Sequence, residues 1–162
     1  GGAARLGRTI FGTNGENHQA LIVRGSGSRA EAFEPLFMDG RAIFNFMMTE
    51  VPTSVTRCLE INKLNVDDID FFVFHQASKY MLTTLASRMR IPLDKVVIDM
   101  RDIGNTTSSS IPVALQRRLL SKNQKNKKRL NILLSGFGVG LSWASTVIYL
   151  EGQIGNRNNE EK

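Results

Sequence analysis

Apolar residues recur along this chain with two different periods. Over residues 41–63, Phe44, Met47, Val51, Val55 and Leu59 return every three or four positions, which lines them along one face of a helix. Pro52 interrupts the run and removes a backbone donor, so a kink or two abutting helices is expected. Residues 69–74 (IDFFVF) form a short apolar run of β-formers behind the polar turn 65–68 (NVDD). Such a run predicts a buried strand. A second helix fits 77–90, with Met81, Leu85 and Met89 on one face and Pro92 just past its end. Residues 95–100 (KVVIDM) predict another buried strand, and 101–106 a loop. A third helix fits 108–121, with Thr107 or Ser108 as its N-cap and Pro112 near its first turn. Residues 131–135 and 142–150 predict two strands joined by the glycine-rich turn 136–140. Nearer the start, 19–23 (QALIV) predicts a short strand, followed by a surface turn over 24–28.

Strands separated by helices of crossover length imply a largely parallel sheet with helices packed on it. The final pair has only a short connection and must be antiparallel. The expectation is therefore one α/β domain over residues 1–150, followed by a polar, disordered tail over 151–162.

Composition narrows the function classes. Of the 162 residues, 41% are hydrophobic and 22% charged, the balance of a chain that can bury a core. No apolar run reaches the length that spans a bilayer, and residues 1–8 lack the apolar core of a secretory signal. One cysteine, Cys58, allows no internal disulfide, so a cytoplasmic location is expected. Opening on Gly-Gly rather than Met suits a fragment of a longer protein, a processed product or an artificially added start. The net charge of +6 favours an acidic partner, though charge alone does not choose between protein, lipid and nucleic acid. No aromatic and basic surface pattern supports nucleic-acid binding. Neither nucleic acid nor membrane is an expected partner, and no metal site is expected.

In open α/β sheets, ligands bind beyond the carboxyl ends of the strands. Three features fall there: His75 after the strand ending at Phe74, Asn105 after the strand ending near Met100, and the loop 136–140. Each alone has a plain structural reading. A histidine after a strand can be a hydrogen-bonded structural residue, Asn105 can be a turn residue, and the glycines can serve a tight hairpin. Their placement on one edge raises the functional reading.

The segments His75-Gln76-Ala77, Gly104-Asn105-Thr106-Thr107-Ser108-Ser109-Ser110-Ile111-Pro112 and Gly136-Phe137-Gly138-Val139-Gly140-Leu141-Ser142-Trp143 closely resemble the 3-oxoacyl-acyl-carrier-protein synthase III family. That family belongs to the thiolase-fold condensing enzymes. The resemblance runs from about Met38 to Leu150 and includes the lead-in Met38-Asp39-Gly40-Arg41-Ala42-Ile43-Phe44. It implies one half of a thiolase-like fold, a five-stranded mixed sheet with flanking helices. The nucleophilic cysteine of the family lies in the N-terminal half, which this chain does not resemble. Cys58 sits at helical spacing beside Val55 and Leu59, where a buried structural thiol is expected.

The resemblance also implies roles. No bound cofactor is implied; the substrates are a coenzyme A thioester and an acyl-carrier-protein thioester. His75 and Asn105 would hydrogen-bond the malonyl thioester carbonyl during decarboxylation. Gly138, Val139 and Gly140 would form the oxyanion loop, with Val139 standing where the family often has glycine. Phe44 and Phe137 would line the site. Lys79, Arg88 and Arg90 would dock the acidic carrier protein. The partners implied are an N-terminal half carrying the cysteine, acyl carrier protein, and a second copy in a full-length homodimer. Other thiolase-fold acyltransferases, of hydroxymethylglutaryl-CoA-synthase or polyketide type, and a non-catalytic carrier-binding half stay open.

Overall fold

A computed structural model describes residues 4–25, 34–120 and 129–151. All but the first residue of the predicted tail over 151–162, and part of the 24–28 turn, lie outside the described residues. The elements are β1 (Ala4–Leu6), β2 (Ile10–Thr13), β3 (Leu21–Ile22), β4 (Phe37–Met38), α1 (Gly40–Ile61), β5 (Phe71–Phe74), α2 (Lys79–Met89), α3 (Ser110–Leu115), β6 (Arg129–Gly138) and β7 (Ser142–Glu151). The main sheet has five strands, ordered β1-β7-β6-β5, with β2 also on β7.

The sheet is mixed, as expected, but less parallel than the alternation of elements suggests. Only β5 and β6 form a parallel ladder, from Phe71 opposite Ile132 to Phe74 opposite Ser135. β6 and β7 make a long antiparallel hairpin, and β1 and β2 add antiparallel to the outer edge of β7. The predicted strand over 95–100 is not a strand. It reduces to one parallel bridge between Val96 and Phe72 and a hydrogen bond from Val97 N to Phe72 O. The predicted strand over 19–23 shrinks to Leu21–Ile22, paired with β4 apart from the main sheet.

Both faces of the central strands are buried, which explains their near-continuous apolar runs. Along β6, Leu130 and Ile132 join a cluster with Val73, Val97, Ala114 and Leu119 on the α3 side. The alternate residues Leu133 and Phe137 join the larger core under α1 and α2. Alternation of side chains across a strand makes that division.

Helix α1 begins at Asp39, whose carboxylate accepts from the N–H groups of Arg41 and Ala42 at 3.0 Å. It runs through Pro52 as one element rather than two. A proline inside a helix costs about 3 kcal/mol. Met47, Val51 and Val55 are fully buried on either side of it. Burying each contributes about 1.5–3 kcal/mol, so together they outweigh the lost bond. Cys58 is also fully buried on this stripe, and burial pushes its thiol pKa up. That environment keeps it protonated and unreactive.

The third helix departs from the prediction. A 3-10 turn over Thr107–Ser109 leads into α3, and Gln116–Leu120 continues as a π-turn. Neither Thr107 nor Ser108 caps α3; Ser109 occupies that position without a side-chain bond. No helix among the described residues is long and apolar enough to cross a membrane.

Candidate active site

His75 stands one residue beyond β5, and its N–H donates to Ser135 O at 2.9 Å. The parallel ladder thus fixes the backbone that carries the ring. Nδ1 lies 2.7 Å from Ser110 Oγ, and the ring meets Phe137 edge-on at 5.3 Å between centroids. Ser110 is buried at the start of α3, and its oxygen already accepts from the Gln76 N–H at 3.3 Å. Between Nδ1 and Ser110 Oγ, either atom can be the donor, according to the ring's tautomer. When the serine donates, a neutral ring carries its proton on Nε2. Burial lowers the His75 pKa, and a hydrogen bond to the Thr107 backbone partly opposes that. Burial is the larger of these two opposing effects, so the shift favours the neutral ring.

Asn105 projects from an exposed loop. Gly104 before it has φ +64, in the left-handed region, and its N–H closes a turn on Met100 O. Asn105 Oδ1 accepts from Thr107 N at 2.8 Å. That bond sets the amide orientation and leaves the Nδ2 hydrogens as the outward donors. His75 and Asn105 thus meet through one backbone residue, Thr107, which bonds to both side chains.

The predicted oxyanion loop is shorter than expected, because β6 continues through Gly138, which pairs with Ser142. Val139 is exposed and its carbonyl accepts from Ser142 Oγ at 2.7 Å. Its φ is not positive, so a β-branched side chain fits there without backbone strain. Gly140 has φ +140, and a Cβ there would lie 2.8 Å from Ser142 N. The next wall is a groove of about 450 Å³ lined by Phe11, Gly12, Phe137, Val139 and Trp143 among others. Neither His75 nor Asn105 lines it; Phe137 joins it to the histidine.

The remaining predicted residues are dispersed. Phe44 stacks on the exposed Tyr80 at 5.9 Å rather than on His75. Lys79 opens α2, four residues after His75, whereas Arg88 lies in its last turn and Arg90 closes it with φ +55. Eleven residues of helix separate Lys79 from Arg90 by roughly 16 Å, so the three cations form no single cluster. Sequence reasoning missed Ser110, whose only local signal was a serine near a helix start. No group of three or more His, Cys, Asp or Glu side chains among the described residues is placed to hold a metal.

The fold is that of the C-terminal part of a thiolase-like fold. Residues 59–150 match the family described as 3-oxoacyl-[acyl-carrier-protein (ACP)] synthase III C terminal, and the chain belongs to that family. It is 39% identical over 113 residues to a beta-ketoacyl-[acyl-carrier-protein] synthase III of Streptococcus gordonii, covering 70% of this chain and 35% of that protein. A synthase of the same name from Pyropia yezoensis is 34% identical over 116 residues, with 72% and 35% covered. The crystal structure of a 3-oxoacyl-(acyl-carrier protein) synthase from Burkholderia xenovorans superposes with a TM-score of 0.81 at 34% identity, covering 88% of this chain and 44% of that one. The chain spans about a third of the length of these curated relatives.

Proposed function

We propose that this domain supplies the thioester-carbonyl donors for a decarboxylative Claisen condensation, joining an acyl group delivered by coenzyme A to malonyl-acyl carrier protein. The observation that carries the reading is that one residue, Thr107, bonds the side chains of both His75 and Asn105, which brings two side chains bearing N–H groups together. Loss of CO₂ puts negative charge on the thioester oxygen. Two donors placed at that oxygen would stabilise the charge without reorganising, each worth roughly 3–4 kcal/mol. A neutral imidazole suits the task because it donates without needing a proton from solvent. The nucleophile comes from a segment outside this chain, since Cys58 is buried and held as a thiol. Val139 in the hairpin loop would present its backbone to the acyl-cysteine carbonyl, with Phe137 and Phe44 as walls. Lys79 is the cation nearest the His75 end of α2 and the first candidate for an acidic carrier protein; Arg88 and Arg90 would meet it farther out.

The test joins this chain to an N-terminal half carrying the cysteine and measures condensation. His75→Ala and Asn105→Ala should each lower the rate about 10²–10³-fold. Unchanged rates would reject the assigned roles. Acetyl transfer from coenzyme A onto Cys58 of this chain alone would reject the division of labour between halves.

A further inference from the structure

Gln76, directly after His75, is 1% exposed, and its side-chain amide bonds only to backbone. Nε2 donates to Phe74 O at 2.8 Å and to Val97 O at 3.1 Å, while Oε1 accepts from Asp99 N at 2.8 Å. The amide therefore takes over where the ladder between β5 and residues 96–97 stops. It staples the end of β5 to the segment that leads into the Asn105 loop. The next link is Asp99, whose side chain is 1% exposed. A buried carboxylate needs a partner, or its desolvation dominates. Arg117 Nε holds one oxygen at 2.7 Å, and Arg118 holds the other at 2.9 Å. Both arginines come from the π-turn after α3, a feature common where a helix serves a site. Arg117 then reaches on to Asp102, with NH2 at 3.0 and 2.8 Å from its two oxygens.

The loop bearing Asn105 is thus tied at Asp99 and again at Asp102, three residues before the asparagine. Gln76 links the same segment to the residue beside His75, and Ser110 bonds both the His75 ring and the Gln76 backbone. We propose that Gln76, Asp99 and Arg117 are positioning residues that hold the Asn105 loop in register with His75. The proposal rests on the assigned donor roles for its use in catalysis, but the positioning itself can be measured without any reaction.

The decisive readout is the isotope-labelled chain by NMR. Asp102 is exposed, so Asp102→Asn cuts one strap without touching the core. It should shift and broaden the Asn105 side-chain amide signals and the His75 ring nitrogens. Arg117→Gln should do so more strongly, and Arg117→Lys should recover part of the wild-type pattern. Unchanged Asn105 and His75 signals in both Asp102→Asn and Arg117→Gln would overturn the proposal. In the joined enzyme, Arg117→Gln should slow condensation roughly ten- to a hundred-fold while leaving acyl transfer to the N-terminal cysteine within two-fold. Equal loss of both steps, which a merely structural role gives, would also overturn it. Failure of the donor reading is told apart by Asn105→Ala, which would then leave condensation unchanged while the NMR coupling persists.

Discussion

Two loops flank the carboxyl ends of β5 and β6, and they are held by opposite means. The loop from Asp99 to Thr107 is tied by side chains, including a buried carboxylate, two arginines and two amides. The hairpin from Gly138 to Ser142 is held by backbone geometry, with Gly140 at φ +140 and a single serine bond to Val139 O. The first can be retuned by changing a charge. The second tolerates almost nothing at Gly140 yet accepts valine one residue earlier.

The largest expected effect breaks the first loop. Arg117→Leu combined with Arg118→Leu leaves Asp99 buried without a cation, which should destabilise the domain by about 3–5 kcal/mol in urea denaturation. Next comes Gly140→Ala, where both φ and the 2.8 Å approach to Ser142 N oppose a side chain; about 3 kcal/mol is expected in the same measurement. Gly104→Ala is the contrast. Its φ is also positive, but nothing lies within 4 Å of the added methyl, so the loss should be only about 1 kcal/mol. Equal losses at the two glycines would show that crowding at the hairpin is unimportant. Ser142→Ala removes one hydrogen bond to the hairpin carbonyl and should cost about 1 kcal/mol.

The smallest effect is a pH dependence. Burial holds the folded His75 pKa below the usual 6.5. The native state then binds this proton less readily than the unfolded chain. Its contribution is intact above about pH 6.5 and is lost as pH falls through the lowered folded value. Urea midpoints taken across that range should fall in the wild type, and His75→Gln should remove that part of the decline.

Much of the fold was readable from local pattern. The stripe along α1, the apolar run of β5, the face of α2 and the final hairpin all appear where the periodicity puts them. The thin edge strands do not announce themselves. β1 and β2 are three and four residues long and largely exposed, so their pairing comes from the open edge of β7 rather than from their own composition. Residues 95–100 mislead in the other direction. They are apolar enough for a strand, but Gln76 occupies the backbone groups that would extend the ladder. For the candidate site, His75, Asn105 and Phe137 were visible in recognisable motifs, although the strand expected before Asn105 is absent. Ser110, Asp99 and Arg117 were not, because nothing local marks a serine as a histidine's partner or pairs residues 18 positions apart.

The sequence by itself therefore determined α1, α2, β5 and the final hairpin, where His75 and Asn105 sit along the chain, and that Cys58 belongs to an apolar stripe. Those properties depend on neighbours within a few residues. Tertiary structure alone decided the edge pairing of β7, the Ser110 partner of His75 and the straps on the Asn105 loop. Each depends on groups distant in the chain, such as His75 and Ser110, 35 residues apart, or Thr9 and Thr146, 137 apart. Contacts of that kind exist only once the sheet has brought its strands together.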